Sequence, residues 1–98
     1  MGKIRWTEES ERWLRDIHDY IAQEDPKAAQ RVATGIYDRA QILVKFPKIG
    51  HIYRVQSEGE IRMLLYGHYR IAYLLRQDDS VEILGVFHGA LDIDRYLL

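Results

Sequence analysis

Few residues in this sequence are equipped for chemistry, and most of those lie in its second half. Arg62 and Arg70 interrupt the otherwise apolar runs "EIRMLLY" and "YRIAYLLR", and His88 closes a third run, "VEILGVFH". A guanidinium beside an imidazole can hold a phosphate while the imidazole moves a proton. That pair is the minimum equipment for cutting RNA through its own 2′-hydroxyl. Whether the pair exists depends on strand register. If a three-residue loop joins the last two runs, position 70 pairs with 88, 72 with 86 and 74 with 84. Arg70 and His88 then share one face, and Arg76 opposes Glu82. A two-residue loop breaks that arrangement. The alternative reading gives Arg70 a carboxylate or backbone carbonyls and leaves His88 to satisfy a strand end. Tyr66, Tyr69 and Tyr73 are able to stack on bases, yet tyrosine is also a routine strand residue.

Other chemistries find little support. The sequence has no cysteine, which excludes disulfides, thiolate catalysis and thiolate metal sites. His18, His51, His68 and His88 are scattered without metal-ligand spacing, so no metal is expected. No glycine-rich phosphate loop occurs, and Ser10, Ser57 and Ser80 sit in no nucleophile-elbow context. Asp78 and Asp79 fall in a hairpin turn, where turn propensity accounts for them. No cofactor is expected.

The elements that would position these residues follow from local pattern. "KIRW" reads as a short strand. Thr7 reads as a helix N-cap, with Glu8, Glu9 and Glu11 favourable at the positive helix end. Trp13, Leu14, Ile17, Tyr20 and Ile21 recur at helical spacing, and the helix should stop near Glu24. Asp25-Pro26 is a second start signal. Ala29, Val32, Ala33, Ile36, Ala40 and Leu43 form one stripe whose alanines suit close packing on the first helix. Phe46-Pro47 ends it. Residues 48–59 show no sustained period and read as a loop. The three apolar runs then read as strands joined by hairpins at Gly67-His68 and Gln77–Ser80. The tail "LDIDRYLL" suits a short strand or a helical turn.

The expected fold is therefore α+β: a short N-terminal strand, a helical hairpin, a three-stranded antiparallel meander and a short C-terminal tail. At 98 residues the chain is one domain, spanning 1–98, with enough length for one core. The strands carry apolar side chains on both faces. Two helices cannot cover both, so the tail and a partner are expected to cover the second face. "MGKIRWTEES" holds no apolar signal-peptide stretch, and no run is long enough for a bilayer, so a cytoplasmic chain without membrane association is expected. Net charge is −1, which gives no bulk attraction to nucleic acid. Charge is uneven, however. Residues 31–70 carry seven Lys/Arg and three Asp/Glu, a surplus of four positive charges, between acidic flanks. Such a face suits an acidic partner.

"DIHDYIAQEDPKAAQRV", "LVKFPKIG" and "IRMLLYGHYRIAYLLRQDDSVEILGVFHGALD" together resemble the RelE/ParE toxin superfamily over nearly the whole chain, and its ParE-like branch most closely. The carrying features are the Tyr-Ile…Asp-Pro…Ala-Ala helix junction, Pro-x-x-Gly, Tyr-Arg-Ile-x-Tyr and Val-Phe-His-Gly. The resemblance implies the toxin of a type II toxin–antitoxin pair. It implies a cognate antitoxin that wraps the toxin in a hetero-oligomer and carries operator-DNA binding itself. On the apolar strands, antitoxin contact is expected at Met63, Leu65, Ala72, Leu74, Leu84 and Val86. ParE-like members are understood to poison DNA gyrase without the catalytic set of RelE-like members, which cut messenger RNA on the ribosome. Target contact is then expected at Arg62, Arg70, Leu91, Asp92, Arg95 and Tyr96, although Ala90-Leu91 stand where ParE-like chains often carry arginine. The enzyme-class alternative is a ribosome-dependent endoribonuclease with Arg62, Arg70 and His88 as its catalytic residues. A toxin homologue that has lost its target is a third reading. Phe87, Gly89, Ala90 and Leu91 offer no second proton-transfer group beside His88, so His88 is expected to be structural. Its imidazole would hold backbone groups where Gly89 leaves the sheet and so fix the path of the tail.

Overall fold

The computed structural model describes residues 3–89 and 93–97. Strand β1 is Ile4–Trp6, helix α1 Glu8–Ala22 and helix α2 Pro26–Gln41. Both helices begin where the capping residues put them. The Thr7 hydroxyl oxygen accepts the Ser10 amide at 3.0 Å, and the Asp25 carboxylate accepts the Ala28 amide at 3.0 Å. Each satisfies one of the unpaired amides at a helix start. Thr7 also donates to the carbonyl of Ile83 at 2.9 Å, which ties the start of α1 to the sheet. Ser10 is fully buried and donates back to the Thr7 carbonyl at 2.8 Å. Helix α2 tightens into a 3-10 turn over Ile42–Val44, and its stripe of Ala29, Ile36 and Ala40, continued by Leu43, is fully buried.

The sheet has five strands in the order β1-β5-β4-β3-β2. They are β2 (His51–Gln56), β3 (Gly59–Tyr66), β4 (Tyr69–Arg76) and β5 (Val81–His88), with β1 parallel to β5 and the remaining pairs antiparallel. Gly67, at φ +56°, makes the tight turn between β3 and β4.

One expectation is corrected here. Residues 48–59, read as a loop, contain β2. It is an edge strand, and its register shifts between Ile52 and Arg54, so the two-residue alternation that marks a strand is broken at Tyr53. Pairing with β3 supplies the order that local pattern does not.

The two sheet faces are covered differently. Leu64, Ile71, Tyr73, Ile83 and Val86 face Ile36, Ala40 and Leu43 of the helical layer. Ile61, Met63, Ala72, Leu74 and Phe87 form a second cluster with Ile93 and Leu97 of the tail. The tail makes a 3-10 turn at Ile93–Arg95, the helical of its two readings. It covers the centre of the second face, so burial there does not require a partner. Trp13 of α1 meets Phe87 edge-on at 4.8 Å and Tyr96 at 5.1 Å, locking helix, sheet and tail together.

Candidate functional site

Two arginines were singled out for chemistry, and the first is fully engaged in holding the fold. Arg62 is 9 % exposed. Its Nη1 donates to the carbonyls of Lys48 at 3.0 Å and Gly50 at 2.6 Å, while Nε and Nη2 both reach Glu60 Oε1 at 2.8 Å. Tyr73, fully buried and opposite Arg62 in the ladder, completes the same clasp. Its hydroxyl donates to the Pro47 carbonyl at 2.7 Å and accepts the Gly50 amide at 3.0 Å. Burial pushes the Tyr73 pKa above the ordinary tyrosine range, against the pull of the Gly50 amide and Arg62. Pro47–Gly50 therefore lies against the sheet because two buried polar side chains satisfy its backbone. A Cβ on residue 50 would fall 2.6 Å from the Met63 carbonyl, so only glycine fits. Sequence reasoning missed Tyr73 as the hub. Its signal was present in the pairing of an apolar-strand arginine with a strand tyrosine and Pro-x-x-Gly.

Arg70 and His88 do not meet on one face. The ladder pairs Tyr69 with His88 and Arg70 with Phe87, not position 70 with 88. Side chains alternate along a strand, so Arg70 lies on the tail-covered face and His88 on the opposite one. The cause is twofold. The hairpin closes one step earlier, at Arg76 and Ser80 (Arg76 N to Ser80 O, 2.9 Å), and a bulge at Leu84 then shifts the ladder. Ile83 pairs with Tyr73 and Glu82 with Leu74, replacing the expected 74–84 and 72–86 pairs. Arg76 still reaches Glu82, diagonally, at 3.1 Å, and Arg5 shares that carboxylate.

At the sheet end, Arg70 Nη2 donates to the Gly89 carbonyl at 3.0 Å, and the Gly89 amide donates to the His68 carbonyl at 2.8 Å. The backbone leaving the sheet is thus held by Arg70 and the β3–β4 turn. His88 is exposed, with its ring 6.3 Å from His68 and edge-on to Tyr69 at 5.8 Å.

The remaining expected contacts fall in several environments. Met63, Ala72 and Leu74 are 1 %, 0 % and 5 % exposed beneath the tail. Leu84 packs partly buried against the same cluster. Val86 lies on the helix-facing side, fully buried. Leu65 stands exposed. Arg95 is exposed, and Tyr96 stacks on Phe87 at 5.7 Å. Leu91 and Asp92 lie outside the described residues. Among the described residues no group of three or more His, Asp or Glu is placed to hold a metal. No helix there is long and apolar enough to cross a membrane.

Comparison with known proteins adds to this geometry. Residues 4–93 match the family model described as "ParE toxin of type II toxin-antitoxin system, parDE". The chain is 38 % identical over 87 residues to "Putative toxin Y4kP" of Sinorhizobium fredii, covering 89 % of this chain and 88 % of that one. It is 31 % identical over 90 residues to "Toxin RelE2" of Caulobacter vibrioides, covering 92 % and 98 %. Among solved structures, a chain of the chromosomal ParDE system of P. aeruginosa superposes with a TM-score of 0.74 at 18 % identity, covering 90 % of this chain and 96 % of the other. A chain of the RelBE2 toxin–antitoxin complex of Mycobacterium tuberculosis gives 0.61 at 22 %, covering 89 % and 96 %. At those identities the structural likeness concerns the fold.

Proposed function

Because this chain belongs to the ParE toxin family of type II toxin–antitoxin systems, we propose that it acts by binding DNA gyrase, with no catalytic turnover of its own. A cognate antitoxin neutralises it in a hetero-oligomer and contacts operator DNA on the pair's behalf. The carrying observation is that the candidate catalytic residues do not converge. RNA cleavage needs a cationic clamp and proton-transfer groups around one phosphate. Here Arg62 is spent on the Lys48 and Gly50 carbonyls and on Glu60, and Arg70 and His88 lie on opposite faces. What remains outward-facing near the tail, Arg95 and Tyr96, suits protein contact.

The test runs two readouts on one preparation. The purified chain is titrated into a gyrase supercoiling and DNA-cleavage assay, and in parallel onto ribosomes holding a message whose 5′ ends are mapped. Loss of supercoiling or trapped cleaved DNA, with intact message, is expected. Cut message with supercoiling untouched would put the ribonuclease reading in its place.

A further inference from the structure

His68 and His88 are far apart in the sequence, and no metal-ligand spacing links them. The fold brings them together. His68 stands in the short turn between β3 and β4, and its carbonyl accepts the Gly89 amide at 2.8 Å. His88 is the last residue of β5 and pairs with Tyr69, the first residue of β4. Arg70 Nη2 holds the Gly89 carbonyl at 3.0 Å. The two backbones are therefore clamped side by side. Both histidines are exposed, with ring centres 6.3 Å apart and ring planes 28° from parallel. Tyr69, partly buried against the helix-facing core, stands edge-on to His88 at 5.8 Å and walls one side of the pair.

That separation suits one shared ion. An imidazole nitrogen binds Zn²⁺ at about 2.0–2.1 Å, which puts each ring centre about 3.2 Å from the metal and two ring centres about 5.2 Å apart at a tetrahedral angle or about 6.4 Å apart at a linear one. The observed spacing lies within that span, so exposed rings reach one ion by turning about their own side-chain bonds, on a backbone already in place. We propose that His68 and His88 form a two-imidazole site for a late first-row divalent transition ion, Cu²⁺ most tightly, with Ni²⁺ and Zn²⁺ after it. Imidazole favours these ions, whereas Mg²⁺ and Ca²⁺ take oxygen ligands. Among the described residues no third protein ligand joins the pair. Solvent completes the shell, and the ion exchanges with the medium. Arg70 is on the opposite sheet face, so the backbone separates its charge from the two rings. A bound ion would tie the β3–β4 turn to the end of β5, where the chain leaves the sheet for the tail. This site is independent of the toxin's target.

The experiment titrates the intact chain, carrying no polyhistidine tag, with Cu²⁺, Ni²⁺, Zn²⁺ and Mg²⁺ as simple salts in a non-chelating buffer. Uptake is read by calorimetry, by the nitrogen hyperfine pattern of bound Cu²⁺ in electron paramagnetic resonance, and by the rise in thermal midpoint that a ligand of the native state produces. The wild type should take up one transition ion per chain and no Mg²⁺, with two imidazole nitrogens on the copper. A hydrogen-bond partner behind a metal-bound histidine is itself worth about 10–100-fold in affinity. His68→Gln and His88→Gln, each removing a ligand, should therefore weaken binding by about tenfold or more. Both positions are exposed, and unfolding without added ion should match the wild type, which separates a lost ligand from a lost fold. The His18→Gln/His51→Gln variant removes the other two histidines and should bind as the wild type does. Uptake that persists in the two single variants, or that disappears in the His18→Gln/His51→Gln variant, places the ion elsewhere and overturns the proposal. Absence of uptake by the wild type overturns it as well.

Discussion

Tyr73 carries two hydrogen bonds in a place water does not reach, and its replacement isolates their worth. Tyr73→Phe keeps the ring and removes the hydroxyl, leaving the Pro47 carbonyl and the Gly50 amide without that partner. The expected loss is about 1–3 kcal/mol in urea unfolding; an unchanged midpoint would show that the clasp does not hold the loop. The same residue sets an alkaline limit. Burial holds its pKa above the ordinary value, so between the unfolded pKa of about 10 and the folded one the native state keeps a proton that the unfolded chain loses. Stability from this group is thus intact below about pH 9 and falls as pH rises beyond about 10. In Tyr73→Phe that alkaline decline should be shallower, which unfolding at stepped pH would reveal. His88 belongs to a different class of residue. It is exposed, and the strand exit beside it is held by Arg70 and the His68 carbonyl. His88→Gln should keep the midpoint within about 0.5 kcal/mol, as surface substitutions do, and should keep toxicity. A folded but inactive His88→Gln would make "VFHGALD" the edge of an active site after all.

Elements differ in how openly they announce themselves. Both helices were legible, because Thr7 and Asp25-Pro26 are start signals with a mechanism and the stripe ending at Leu43 has the period of a buried helix face. Strands β3, β4 and β5 were legible as apolar runs between turn residues. β2 was not, since a bulged edge strand takes its order from its neighbour. Nor was the register. The bulge at Leu84 and a hairpin closed at Arg76–Ser80 are settled by how the strands twist and pack, and one step moves Arg70 to the opposite face from His88. The candidate site depends on that register: its residues are identifiable by type, and the faces they occupy are not. The double apolar character of the strands was read correctly, but the tail answers much of it. Ending the chain after Ala90 removes Ile93 and Leu97, buried at 4 % and 7 % exposure, and uncovers Met63, Ala72 and Phe87. At about 1.5–3 kcal/mol per buried aliphatic side chain, the cut should cost about 3–6 kcal/mol, a large part of a total of about 5–15 kcal/mol. It should also raise binding of a hydrophobic dye. A truncated chain with the full-length midpoint would mean that the tail is not part of the core.

Charge acts over the whole molecule, and the net value of −1 conceals how. The fold spans 41 × 29 × 22 Å, while salt at about 0.1 M screens charges over about 10 Å. An approaching chain therefore feels the charges nearest its point of contact, drawn in part from the basic segment 31–70 with seven basic against three acidic residues, and not the sum. Arg62 of that segment is paired with Glu60, while Arg39, Arg54 and Arg70 donate to backbone carbonyls and keep their charge. Lys45 and Lys48 are exposed on the turn before β2, where a partner can reach them. For an acidic antitoxin this predicts a kinetic signature. Exposed charges steer the encounter more than they hold the complex, so salt should slow association and leave dissociation nearly unchanged. Raising salt from about 50 mM to about 500 mM shortens the screening length from about 14 Å to about 4 Å and should lower the association rate by about tenfold or more. Lys45→Glu/Lys48→Glu should flatten that dependence. Stopped-flow mixing with the protein encoded beside this chain measures both rates. An association rate indifferent to salt in the wild type would mean that the basic middle segment does not guide the partner, and that apolar contact alone brings the two chains together.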